Sequence, residues 1–339
     1  MAMTKKTSMT IEDIARLANV SKSTVSRSLN NSPLIKQETR ERIQAIAREH
    51  HFCINTPARN LSLRQSHTIA MVTHAYHMEN YSMDDLFSLE VMGGISHALY
   101  ALRYDLLIVH VDPRDTDWAH QYLDSGRVDG FILLTSNRKQ THIKALAEMN
   151  APFIVWGVPQ LQYNCCSVNG DNITGGRLAA EHLIHIGRQR IAFLGGPSDD
   201  LEVQYRFRGY ETALQTAGYH VDPNRIAHGD YSHSSGSAAM QRLLEQSPDL
   251  DAVFVNSDLM AIGAINVIQN HGKRVPEDIA VVGYDDLSIA SFNNLPLTTV
   301  RQNIPLAGKL LAQNLVQYIQ TGVVTNVTIP VELVVRKSA

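Results

Sequence analysis

The feature that most limits what this chain can fold into is a series of short, almost wholly apolar runs from Thr68 onward, each followed by a stretch of helical periodicity. The runs are TIAMVTH (68–74), DLLIVHV (105–111), DGFILLT (129–135), PFIVWG (152–157), RIAFLGG (190–196), AVFVNS (252–257) and IAVVGYDD (279–286). Strands that are apolar throughout, rather than alternating, are buried on both faces, and a helix after each makes parallel βαβ units. The helical stretches fall at 86–102, 172–187, 202–218, 233–246, 259–271 and 305–321. Ten to twelve strands over this length predict an α/β core of two doubly wound parallel sheets facing a cleft, with ligand beyond the carboxyl ends of the strands.

The first 66 residues follow a different rule. Thr10 with Asp13 forms a capping-box pattern, and Ile11, Ile14, Ala15 and Leu17 recur at helical spacing behind it. Asn19 tolerates a left-handed turn, Val20 plugs the angle, and Ser21 is a good N-cap for KSTVSRSLNN, whose inward face is Val25 and Leu29. A third helix, Gln37 to Glu49, turns Ile43 and Ile46 inward. Helix, short turn, helix is the layout that lays its second helix in the DNA major groove. There Lys22, Ser23 and Arg27 would face base edges, while Ser21, Thr24 and Ser26 would donate to phosphates.

Charge agrees. Residues 1–66 hold eleven Lys/Arg against five Asp/Glu, a net +6 that leaves −9 for the remainder. A basic head on an acidic body confines nucleic-acid contact to one end.

The run TIEDIARLANVSKSTVSRSLNN with TRERIQAIAREHHF resembles the head of the lactose/galactose repressor family nearly residue for residue. DNITGGRLAAEHLIHIGRQRIAFLGGP, RFRGYETAL, NSDLMAIGAI, VPEDIAVVGYDD and LPLTTVRQN extend the resemblance over the whole chain. It implies a helix-turn-helix head at 1–53, a hinge helix and linker at 54–66, and a periplasmic-binding-protein-like effector and dimerisation core at 67–339. It assigns base reading to Lys22, Ser23 and Arg27, and the DNA-contacting set also takes in Asn30 and Asn55. In TPARNLSLRQS it implies a hinge whose Leu61 wedges into the minor groove, with Ala58 against the partner hinge; the alternative for Leu61 is an ordinary linker residue. The family usually carries Tyr-x-Pro-Asn before the hinge, where this chain has Phe52-Cys53-Ile54-Asn55. A homodimer on a near-palindromic operator follows from two-fold symmetry.

For the effector, Asp285 after VVGY would accept hydroxyl protons from a vicinal diol, and Arg206 in RFRGY would offer a planar fork to sugar oxygens. Tyr231 and Trp156 offer flat faces to a sugar ring. The resemblance supports Arg206, Asp285 and Tyr231 as effector contacts, and adds Gln302. Alternatives stand beside these: a surface ion pair for Arg206, a turn cap for Asp285 and core packing for Trp156. Where the family has Asn-Asp this chain has Ser257-Asp258, so Ser257 would reach the sugar less far while Asp258 caps the next helix. Gly157 stands where some members place a polar contact.

Other function classes find little support. There is no GxxxxGK, GxGxxG or GxSxG, and the adjacent Asp285 and Asp286 point apart as neighbours do, so no catalysis is expected. His182 and His185 lie one turn apart, but no further ligands complete a metal site, and no cofactor is expected. Cys53, Cys165 and Cys166 read as buried reduced thiols. No apolar run approaches the roughly 18 residues of a membrane span, and MAMTKKTSMT lacks the apolar stretch of a secretory signal, so a cytoplasmic location is expected. The expectation is a sugar-released repressor; a non-sugar effector, a corepressor, or a sugar-binding protein without a regulatory role are the alternatives.

Overall fold

The structure is a computed structural model that describes residues 9–52, 65–74, 86–112, 115, 117–134, 140–159 and 162–339. Asn55, Ala58 and Leu61, with Cys53, lie outside the described residues. The chain divides into two compact units, Met1–Ser66 and His67–Ala339.

In the first unit, α1 (Ile11–Leu17), α2 (Lys22–Leu29) and α3 (Gln37–Glu49) enclose a small core of Ile14, Ala15, Ala18, Val25 and Ile43. Thr10 and Asp13 form the expected capping box, and Asn19 takes the left-handed conformation (φ 52°) that turns α1 into α2. The buried faces differ in detail from the apolar pattern. Leu17 is 48% exposed and turns away from this core, and the fully buried companion of Val25 is Ser28, with Leu29 at the edge.

The second unit contains two six-stranded sheets. The first comprises β1 (Thr68–His74), β2 (Asp105–Val111), β3 (Gly130–Leu133), β4 (Phe153–Trp156), β5 (Cys166–Gly170) and β11 (Asn326–Ile329). The second comprises β6 (Ile191–Gly195), β7 (Ile226–His228), β8 (Ala252–Val255), β9 (Ala280–Asp285), β10 (Thr298–Arg301) and β12 (Glu332–Val334). Strand order is β11-β5-β4-β3-β1-β2 in one and β12-β10-β9-β8-β6-β7 in the other. The same winding occurs twice, each time with one strand returned from the end of the chain. All pairings are parallel except β10 with β12. This is the α/β class that the apolar runs predict.

Helices cover both faces of each sheet. On the first sheet lie α4 (Leu86–Ala101), α5 (Trp118–Leu123) and α6 (Gln140–Glu148); on the second lie α7 (Asn172–His185), α8 (Leu201–Thr216), α9 (His233–Gln246) and α10 (Asp258–Asn270). After the short α11 (Ser288–Phe292) and β10, helix α12 (Ile304–Thr321) returns to the first sheet, where Leu311 and Leu315 pack with Ile95. Fully buried Phe131, Phe153, Phe193 and Phe254 contribute about 1.5–3 kcal/mol each by leaving water. The chain crosses between the lobes three times, after β5, after β10 and after β11. Two crossings end on side-chain N-caps, Asp171 accepting from the Thr174 amide and Asn303 from the Leu306 amide. The caps fix where each helix begins.

Candidate effector cleft and DNA-reading surface

Successive strands of the second lobe deliver polar side chains to one place. Arg206 and Glu202 come from α8 behind β6, Tyr231 follows β7, Asn256 and Ser257 follow β8, Asp285 ends β9 and Gln302 follows β10. Carboxyl ends of parallel strands, with the helix N-termini beside them, are where such sheets hold ligands.

Arg206 is the centre. It is 5% exposed, its Nε donates to Asn172 Oδ1 (2.8 Å), its Nη1 donates to the Asn256 carbonyl (2.7 Å), and its guanidinium lies 3.7 Å over the Tyr284 ring. A surface ion pair is thereby ruled out for this residue. Burial works against its charge, but Tyr284, Asp285, Tyr231 and Glu202 outweigh that and hold its pKa above the ordinary value. The helix that carries it is drawn unusually close to α7: a Cβ on Gly176 would lie 1.9 Å from the Arg206 carbonyl, and one on Gly209 would lie 2.0 Å from that of Ile173. Only glycine permits that approach.

Asp285 accepts from Gln302 Nε2 (2.8 Å), so the residue at one lobe crossing is tied to the end of β9. Asp286 turns the other way, onto Arg301 (2.6 Å) and Arg336 (2.6 Å). Both aspartates have positive φ (111° and 57°), as does Tyr231 (74°). Such conformations cost on the order of 1–3 kcal/mol each in side-chain-bearing residues, and they gather at functional sites. The Tyr231 hydroxyl donates to buried Asp200 (3.2 Å), and its ring occupies the space a Cβ on Gly196 would need. The Gly195-Gly196 pair therefore serves the packing of β6 and Tyr231. Burial pushes the Tyr231 phenol well above its usual range.

One expected cap shifts by a residue. Ser257 caps α10, its hydroxyl accepting from the Met260 amide (3.3 Å), while Asp258 is wholly buried and accepts from Thr299 Oγ1 (2.5 Å) and the Leu287 amide (2.7 Å). Burial first, and the Asp285 charge second, drive the Asp258 carboxyl far above the carboxylate range. Ser257 keeps its hydrogen for another acceptor. Trp156 ends β4 in the first lobe, buried in that lobe's core with its ring 5.7 Å from Phe87. Core packing thus accounts for its surroundings. Cys165 and Cys166 are buried free thiols, and burial raises Cys165 to about 11.

Sequence reasoning passed over Glu202, Asn172 and Asn256. Glu202 is 8% exposed and accepts from the Val158 amide of the first lobe (3.2 Å). Its spacing four residues before Arg206 on one helix face was the available signal. Burial pushes its carboxyl up. A second carboxylate reaches the opposite way: Glu90 of α4 accepts from the Ser288 amide (2.9 Å) of the second lobe. Glu202 Oε2, Gln302 Oε1 and both amide atoms of Asn256 are buried without a hydrogen-bond partner among the described residues. Buried polar groups are rarely left so.

On the head, Lys22, Ser23 and Arg27 are exposed on α2, as are Ser21 and Asn30 at its ends, with Thr24 and Ser26 half-buried. Ser21 accepts from the Thr24 amide (3.2 Å), and its hydroxyl lies 2.8 Å from that of Ser23 and 2.9 Å from that of Thr24. Gln44 of α3 donates to the Ser28 carbonyl (3.2 Å) and to Asn31 (2.9 Å), and Arg42 donates to the Ala18 carbonyl (3.1 Å). The Gln44 bonds brace the end of α2 from behind, Arg42 ties α3 to the end of α1, and the outer face of α2 is left open.

Residues 10–55 match the family of bacterial regulatory proteins of the lacI type, and residues 78–337 match the periplasmic binding proteins and sugar binding domain of the LacI family. The chain belongs to the LacI family. Its head and core make it a sugar-responsive transcriptional repressor of that family, and the family's regulators are not enzymes. The HTH-type transcriptional regulator CelR of Thermobifida fusca is 36% identical over 98% of this chain and 97% of its own length. The ribose operon repressor of Haemophilus influenzae is 32% identical over 92% of each. Among solved structures, a CelR–cellobiose complex aligns with TM-score 0.73 at 33% identity, covering 98% of this chain and 100% of that one. A lac repressor dimer bound to operator and the anti-inducer ONPF aligns with TM-score 0.84 at 30% identity, covering 98% and 99%. Among the described residues of this LacI-family chain, no helix is long and apolar enough to cross a membrane.

Proposed function

We propose that this protein represses carbohydrate-utilisation genes in the cytoplasm. Two copies grip a near-palindromic operator, and a neutral sugar closing the cleft releases them. The observation that carries the effector reading is the gathering of buried, unpartnered polar atoms on Glu202, Gln302 and Asn256 beside Arg206 and Asp285. Acceptors and donors held dry at strand ends fit a compact ligand rich in hydroxyls. Arg206 and Asp285 would anchor adjacent hydroxyls, with Tyr231 offering its ring and Ser257 its hydrogen. Trp156 would contribute through the shape of the first lobe. The likeness to CelR and to its cellobiose complex makes a β-linked glucose disaccharide the first ligand to try.

On DNA, Lys22, Ser23 and Arg27 read bases, Ser21, Thr24, Ser26 and Asn30 hold the backbone, and Asn55, Ala58 and Leu61 form the hinge contact. The solved lac repressor dimer on its operator supports the two-copy arrangement. Linkage allows the sugar to move DNA affinity only by its unequal affinity for the two arrangements of the core. The test is calorimetry of the full-length protein against cellobiose, ribose and other mono- and disaccharides, followed by release from a duplex it selects from a random pool. Binding with release supports induction; binding with tighter DNA contact makes the sugar a corepressor; no sugar binding overturns the reading.

A further inference from the structure

Among the described residues, five Asp, Glu, Lys or Arg side chains are buried: Asp200, Glu202, Asp258, Asp285 and Arg206. All five belong to the cleft wall of the second lobe, where β6, β8 and β9 end. They act on one another there. Asp285 and Glu202 both raise the pKa of Arg206, and Asp285 raises that of Asp258. Four carboxyl groups thus share one guanidinium, whose Nε and Nη1 are already bound to Asn172 and to the Asn256 carbonyl. Arg301 and Arg336 bring no relief, because both turn onto Asp286. Hydrogen bonding leans the same way. The Gln302 amide nitrogen is bound to Asp285, which leaves its oxygen as the unpartnered atom. With Glu202 Oε2 and Asn256 Oδ1, that makes three buried acceptors beside one amide donor, Asn256 Nδ2.

We propose that this wall admits a free sugar and turns away its phosphate ester. The effector is then supplied by a glycoside hydrolysis or by an uptake step that leaves the sugar unphosphorylated, and a phosphoryl transfer to the sugar ends the signal. The inference rests on the effector reading above and narrows it. A hydroxyl can donate to a waiting acceptor, whereas a phosphate ester near neutral pH carries about −1.5 to −2 charge and three oxygens that accept. On this wall it would add acceptors where acceptors are in excess, and negative charge where one cation already answers several carboxyl groups. Repulsion in a site removed from water is weakly screened. Glu202 also reaches the Val158 amide of the first lobe, so a ligand held between the lobes lies beside its carboxyl.

Calorimetry of the full-length protein tests this with cellobiose, glucose and ribose, each beside the monophosphate ester of its primary hydroxyl. For every free sugar that binds wild type, the ester is expected to bind at least about 100-fold more weakly. The double variant Asp200→Asn, Glu202→Gln removes charge from the wall with little change of shape. It should recover about ten-fold of the ester's loss while holding the free sugar within about three-fold of wild type. Where glucose binds, its cationic analogue glucosamine should shift the opposite way, weaker in the double variant than in wild type. An ester that binds wild type within about three-fold of its sugar overturns the proposal, and that comparison stands whether or not the double variant folds. An ester held off equally by both proteins overturns it too, since shape would then be the barrier. If no free sugar binds wild type, the effector reading itself falls.

Discussion

In the head, Lys22, Ser23 and Arg27 stand exposed on a helix whose buried side amounts to Val25 and Ser28; in the core, Arg206, Asp285 and Gln302 are each less than a tenth exposed. Both regions use charge and hydrogen bonding, but in opposite surroundings. Exposed charge meets a highly charged partner at long range and leaves the fold indifferent to its loss. Buried charge acts in a low dielectric and becomes part of what holds the fold together. Function and stability should therefore separate cleanly in the head and resist separation in the core.

Arg206→Ala should break the core hardest. It strands Asp285 and Glu202 in a dry site without their cation, for a loss of about 3–5 kcal/mol in urea unfolding together with the sugar response. A variant of unchanged stability would erase the contrast between the regions. Gly209→Ala comes next, because its Cβ would meet the Ile173 carbonyl at 2.0 Å and lever α8 from α7. A loss of about 1–3 kcal/mol is expected, with weaker sugar binding by calorimetry although residue 209 touches no ligand.

Arg27→Ala tests the other side. Discrimination between selected and scrambled DNA, followed by fluorescence anisotropy, should fall by about 1–3 kcal/mol. The unfolding midpoint should stay within about 0.5 kcal/mol of wild type. A clear stability loss would mean that the head, too, depends on its reading side chains. The smallest effect concerns Glu202. Burial raises its pKa in the folded protein above the ordinary 4.5, so the native state holds the proton more tightly than the unfolded chain. The stability that Glu202 contributes should then be complete below that value and be lost as pH climbs from it toward the raised pKa. Glu202→Gln keeps an acceptor for the Val158 amide but removes the titration. Its stability relative to wild type should improve across that window, and a difference independent of pH would refute the shift.

Much of this architecture was legible because two periodicities write it into the chain. Each of the seven apolar runs contains a strand, and the Thr10–Asp13 and Ser21 caps bracket α1 and α2 as their side-chain chemistry requires. What could not be read was which lobe an element joins. Helix α12 follows β10 of the second sheet yet packs on the first, and β11 pairs with β5 across more than 150 residues of sequence. Local pattern records a buried face without naming its partner. The cleft divides along the same line. Tyr231, Asp285 and Gln302 sit at or just past strand ends, where the sequence points, and the structure brings them together with Arg206 of α8. Glu202 matters through an amide on the other lobe, and Asn256 through what its neighbours leave unpaired. The exchange of capping roles between Ser257 and Asp258 was beyond reach for another reason: either residue type caps a helix, and only depth decides between them.

The interleaving of the lobes also dictates an order of birth. The three helices of the head end at Glu49, whereas the first lobe lacks its outermost strand until residues 326–329 have left the ribosome. At about 5–20 residues per second, that gap is roughly 15–55 s. For that interval the helices of the head are complete and the sensor is not. A nonsense codon near position 324 would remove β11 and β12 together, opening both sheets with one cut. Such a product would keep the three helices of its head while its sensing core is left open along two edges.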